Sequence, residues 1–200
     1  MAAIYDRLVK CRRLRLKYCC SIVASHCLIN NCDECRKGAN PNDGGEKLID
    51  LILWRHAEAE PGDDDPARPL TGKGLKQAAR MASWLERVLP DRCRILVSPT
   101  RRTVQTAEAL QRKFKIVPET GCDATAERIL AAANWPNSRE PVVIIGHQPS
   151  LGLAASLLIT GTAQYWTVRK ANVWWLVSKE SDESGGAFIK TIMTPELALK

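Results

Sequence analysis

The run from Leu48 to Glu60, LIDLILWRHAEAE, limits the fold more than any other stretch of the chain. Its first half is apolar, of strand length and without alternation, so it reads as a strand buried on both faces. Such strands belong to parallel sheets covered by helices. The apolar run stops at Arg55-His56, and the carboxyl ends of parallel strands are where open α/β sheets hold their ligands. Arginine offers a fixed fork of donors suited to a phosphoryl group, and imidazole can serve as nucleophile, base or acid. A buried strand that merely ends in polar residues is the plain alternative at this point.

The rest of the chain supports a sheet of this kind. Residues 61–70 (PGDDDPARPL) read as a loop with its aspartates solvated rather than holding magnesium. Thr71 is the expected N-cap of a helix to about Leu89, with Leu75, Ala78, Ala79, Ala82, Leu85 and Leu89 on its apolar face. Residues 94–97 (RILV) form a second short strand, ended by Ser98-Pro99. A helix is expected from Thr100 to about Lys113, a third strand over 114–117 and a helix over 122–133. Residues 141–146 (PVVIIG) make a β-branched strand that ends at His147-Gln148-Pro149-Ser150. The helix after it runs to about Thr160, where Gly161 is placed to stop it. Residues 173–179 and 187–193 read as an antiparallel hairpin packed by Trp174 and Trp175. Alternating strands and helices predict an α/β fold, a three-layer α/β/α sandwich around a mainly parallel sheet.

Two more strand ends then draw attention. Arg101 and Arg102 stand in the first turn of a helix, where cations oppose the dipole, and a bound anion would offset that cost. Two of the three histidines directly follow strands. Arg55, His56, Arg102 and His147 are therefore expected to meet at one crevice.

Composition bears on the surroundings. A net charge of +7 suits acidic or phosphorylated partners, but it is spread along the chain, which speaks against nucleic acid. No stretch approaches the roughly 20 apolar residues of a membrane span. Six of the eight cysteines lie before residue 36. The start carries basic KCRRLRLK where a signal peptide would be apolar, so a cytoplasmic protein with reduced thiols is expected.

Residues 1–47 stand apart from residues 48–200, which form the expected domain. His26, Cys27, Cys32 and Cys35 include one C-x-x-C pair, but without a second pair no metal site is expected. Gly44-Gly45-Glu46 can be encoded by a purine-rich ribosome-binding sequence and Leu48 by a TTG start. The segment is accordingly read as a leader from a misplaced start, or as a dispensable tail. A native mass that includes Met1 would refute the leader.

Arg55-His56 at a strand end, Ser98-Pro99-x-x-Arg102-x-x-Gln105-Thr106 and Gly146-His147 together resemble, in order and spacing, the histidine phosphatase superfamily of phosphoglycerate-mutase-like fold. Arg68-Pro69-Leu70-Thr71-Gly72, Val97-Ser98-Pro99 and His147-Gln148-Pro149 look most like its short SixA-type phosphohistidine phosphatases. The resemblance covers about residues 48 to 195. It implies a metal-independent phosphatase without cofactor, in which His56 becomes transiently phosphorylated. Arg55 and Arg102 would bind the phosphoryl oxygens and His147 would complete the pocket as a donor. Arg68, Glu58 and Gln148 are further substrate-binding candidates.

The chain departs from the family at Ala57, where glycine is usual, and it shows no evident general acid or substrate cap. An alkoxide leaving group needs a placed acid, whereas phosphoimidazole departs as neutral imidazole. The expected substrate is therefore phosphohistidine on a protein such as a phosphotransfer domain, acting in signal transduction. A broad small-molecule phosphomonoesterase and a non-catalytic phospho-binding module stay open, with a mutase the remotest.

Overall fold

The structure, a computed structural model, describes residues 48–179 and 187–198. The expectations for residues 1–47, zinc ligands and leader alike, lie outside the described residues.

Among the described residues six strands make one sheet: β1 (Leu48–Arg55), β2 (Arg94–Val97), β3 (Lys115–Ile116), β4 (Val142–Gly146), β5 (Val173–Lys179) and β6 (Phe188–Met193). Their spatial order is β3-β2-β4-β1-β5-β6. The first four run parallel, and β5 and β6 add on antiparallel beyond β1. Four helices cover it: α1 (Gly72–Val88), α2 (Arg101–Glu108), α3 (Ala126–Ala133) and α4 (Ser150–Thr160). None of them is long and apolar enough to cross a membrane.

The unbroken apolar run of β1 has a simple cause. Ile52 and Trp54 face one core, with Met81 and Leu85 of α1, while Leu51 and Leu53 face the other, with Ile129 of α3 and Leu151 of α4. All four β1 side chains are fully buried, each contributing about 2 kcal/mol by removal from water. The expected three-layer sandwich follows.

Four expectations need correction. The buried face of α1 is Gly74, Ala78, Met81, Ala82 and Leu85, whereas Leu75 and Ala79 are exposed. The helix is rotated so that Gly74 can touch the backbone of Glu58. The helix after Ser98-Pro99 ends at Glu108, not Lys113, because Gln111 takes a left-handed φ of 54°. That turn sends Arg112 back to pair with Glu86 of α1 and to donate to Pro90 O at 2.7 Å. Helix α3 starts at Ala126 rather than Cys122, since Thr125 caps it by accepting from the Arg128 amide. The third strand also shortens, to Lys115–Ile116.

The Gly74 contact predicts a measurable loss. A Cβ there would lie 1.9 Å from Glu58 O, a backbone atom that cannot swing aside. Gly74→Ala should lower unfolding free energy by about 3 kcal/mol, read from the urea midpoint, because helix and loop must separate.

Candidate active site

Strands β2, β4 and β1 lie side by side, and their carboxyl ends carry Ser98, His147 and Arg55-His56. The ladder continues past the strands: His56 N donates to Gly146 O and Ser98 N to Ile145 O, each at 3.1 Å. The three ends are thus held level. His56 and His147 have ring centroids 5.2 Å apart, and Arg102 Nη2 lies 3.3 Å from His147 Nδ1. Both histidines and Arg102 are buried, and Arg55 is near enough for its charge to act on Arg102.

His56 Nδ1 lies 2.7 Å from Ala57 O, an acceptor only, so Nδ1 carries the proton and Nε2 keeps its lone pair. Burial drives the imidazole down to about 4, with Arg102, Arg55 and Lys170 adding to the effect against the opposing Ala57 bond. A neutral nucleophile is therefore in place well below neutral pH. The methyl of Ala57, usually glycine in the family that the sequence resembles, lies within the core, and no positive φ is required there. Its amide donates to Thr106 Oγ1, which in turn donates to Arg102 O. One threonine thereby links the β1 end to α2.

His147 has the opposite tautomer. Arg102 Nη2 can only donate, so Nδ1 accepts, and Nε2–H lies against Ser98 Oγ at 2.7 Å. Burial first, then the neighbouring His56 and Arg102, pushes it down to about 3. To donate from Nδ1, His147 must take up a second proton, which a phosphoryl dianion would favour.

The anion expected at the start of α2 is supplied by the protein. Asp65, one of the three aspartates read as solvated, accepts from Arg102 Nη2 at 2.8 Å, and its backbone carbonyl accepts from Nη1. Its other oxygen meets Arg68 Nη2. Hydrogen bonds from Arg102 and then Arg68 hold the Asp65 carboxyl down to about 2. Cys122 Sγ is 3.2 Å from the same Arg102 nitrogen, and burial raises its thiol. Sequence reasoning missed Asp65, Ser98 as a hydrogen-bonding group, and Cys122. The i,i+3 spacing of Asp65 and Arg68 was the one available signal.

The three outlying candidates separate. Arg68 joins the cluster through Asp65. Glu58 does not: its carboxylate takes bonds from Thr71 Oγ1 and Lys73 Nζ at the start of α1. Gln148 is occupied with backbone, donating to Trp166 O at 2.6 Å and accepting from Val168 N at 3.3 Å. Of the four buried side-chain donors without a partner among the described residues, three are the Nε atoms of Arg55, Arg68 and Arg102. Buried donors are normally satisfied. Their concentration in one cluster fits a site built to receive an oxyanion.

The depressed histidines fix a pH dependence of stability. Both fold with values near 4 and 3 against 6.5 when unfolded, so between those limits the unfolded chain binds more protons. Their contribution is complete above pH 6.5 and is lost as pH falls toward 4. Urea midpoints should be level from pH 8 to 7 and drop from 6.5 to 5, a range above the titration of Asp65.

Residues 51–130 match the model of the histidine phosphatase superfamily (branch 1). The chain is 28% identical over 156 residues to phosphohistidine phosphatase SixA of Escherichia coli (strain K12), covering 74% of this chain and 94% of that one. It is similar to the solved structure of the protein histidine phosphatase SixA complexed with tungstate, with TM-score 0.60, 25% identity and 73% and 97% of the two chains covered. The α-ribazole phosphatase of Shigella flexneri, 17% identical with TM-score 0.58 over 76% and 99% of the chains, is similar in fold alone.

Proposed function

We propose, for a chain homologous in sequence and structure to the SixA members of the histidine phosphatase superfamily, that it removes phosphate from a phosphohistidine on a partner protein. The unpartnered Nε donors of Arg55 and Arg102, whose charges act on a neutral His56, carry the reading. His56 Nε2 attacks phosphorus, and the N–P bond of the substrate breaks. The substrate imidazole leaves neutral, its other nitrogen already protonated. Water then attacks the phosphorus on His56, the new N–P bond breaks, and phosphate departs with the water's oxygen and one of its protons, the other passing to solvent.

Arg55 and Arg102 stabilise charge on the equatorial oxygens, and His147 adds a donor once protonated. The reading needs no metal or cofactor, because the guanidinium groups supply the positive charge. The leaving group decides the substrate class. Glu58 is tied to Thr71 and Lys73, and Asp65 is ionised between two arginines, so neither offers a proton in this arrangement. Phosphoimidazole needs none. A partner such as a phosphotransfer domain, in cytoplasmic signal transduction, fits this chemistry.

Asp65 also favours a second reading. A phosphoryl group that displaces it from Arg102 would free its carboxylate to take up a proton from solvent and pass it to an ester oxygen, as a small-molecule phosphomonoesterase requires. A panel of phosphohistidine proteins and sugar phosphates separates the two. Higher kcat/KM on phosphohistidine supports the first reading, and preference for esters replaces it with the second.

A further inference from the structure

Residues 161–172, between α4 and β5, form a strap across the strand ends. It is tied to the residues of the phosphoryl pocket itself. Arg55 Nη1 donates to Val168 O at 2.8 Å, Arg55 N to Asn172 O and Ala171 N to His56 O. Gln148 clasps Trp166 and Val168, and Trp54 Nε1 donates to Ala171 O. Ala171 accepts a left-handed φ of 61° to make these bonds. Gly152 brings α4 so close that a Cβ would stand 1.8 Å from Trp166 O. A segment fixed so closely has little freedom left to lose on binding.

What it turns outward exceeds the needs of a connector. Tyr165 is 81% exposed, and Thr167, Arg169 and Lys170 are exposed as well. Thr167, Arg169, Lys170 and Asn172 line a cavity of about 430 Å³ with Arg55, which forms the wall shared with the phosphoryl pocket. Glu196 is the one carboxylate on that lining, and Arg55, Arg169 and Lys170 outnumber it. Lys170 is close enough to act on the charge of His56.

We propose that this basic shoulder receives an acidic side chain of the protein that carries the phosphohistidine. The proposal rests on the functional reading above. A carboxylate in the cavity would meet three cations on fixed backbone, and opposite charge at the mouth would speed encounter. Arginine is among the residues on which protein contacts concentrate their energy. A small phosphorylated substrate bound only through its phosphoryl group would leave the shoulder unused.

The test compares two substrates on the full chain: a phosphohistidine-bearing phosphotransfer protein and the free phosphorylated amino acid. For the doubly substituted Arg169→Glu, Lys170→Glu chain, the ratio of kcat/KM on protein to that on amino acid should fall at least tenfold, mostly through KM. The milder Arg169→Gln, Lys170→Gln pair, useful if charge reversal disturbs folding, should give a smaller fall in the same direction. Raising salt should slow the unsubstituted chain on protein and matter less to either variant. An unchanged ratio in a folded variant overturns the shoulder alone. An unsubstituted chain that hydrolyses esters but no phosphohistidine protein overturns the functional reading and the shoulder with it.

Discussion

His56→Ala should abolish turnover, with kcat falling by at least roughly four orders of magnitude. The reason is that no neighbour can replace it. Among the described residues His147 is the other neutral imidazole, but its Nδ1 faces Arg102 and its Nε2 is engaged by Ser98, so neither nitrogen offers a free lone pair. Cys122 is held as a thiol by burial, and Asp65 is engaged by two arginines. The substitution removes a ring whose one hydrogen bond is to its own neighbour, so the fold should survive, and circular dichroism can verify it. The same variant should fail to accumulate the acid-labile phosphoryl group that the unsubstituted chain carries when rapidly quenched with substrate. Turnover retained by a folded His56→Ala protein would remove His56 from the role of nucleophile.

What the sequence disclosed about this site, and what it did not, has a physical division. The residues that announce themselves stand at strand ends, where an apolar run stops at a polar group: Arg55-His56 and His147. Their convergence follows from parallel strands alone, since parallel neighbours present the same ends to one side. Arg102 was legible for a different reason, as a cation where a helix dipole disfavours one.

Asp65 was not legible. Its partner Arg102 is 37 residues distant, and nothing in GDDDPARPL distinguishes the third aspartate from a solvated one except its distance from Arg68. Ser98 and His147 are likewise joined over 49 residues by a single hydroxyl. The rotation of α1 depended on Gly74 meeting Glu58, a close approach that helical periodicity cannot report. Strap residues 161–172 show no apolar period at all, and their order comes from bonds made by Gln148, Arg55 and Trp54. The layers of the fold are written in local patterns, while the electrostatic arrangement of the site is written in long-range pairs.

Arg102 is where those pairs bear on catalysis, and Arg102→Ala should lower kcat/KM roughly a thousandfold, as expected for loss of a buried donor to a phosphoryl oxygen. Arg102→Lys should recover little, because one ammonium cannot reproduce a planar fork between Asp65, His147 and substrate. The same geometry predicts an opposite effect next door. Arg102 Nη2 is held by the Asp65 carboxylate and Nη1 by its backbone carbonyl, so an oxyanion that takes the Nη2 position must displace the carboxylate. Apparent affinity is reduced by the fraction of molecules in which Arg102 is occupied. Asp65→Asn keeps the shape and removes the charge. Inorganic phosphate should therefore inhibit the variant several-fold more tightly than the unsubstituted chain. If instead phosphate binds both proteins equally while Arg102→Ala still loses its activity, Asp65 does not compete for the site. Its contact with Arg102 would then serve to aim the guanidinium rather than to hold it back.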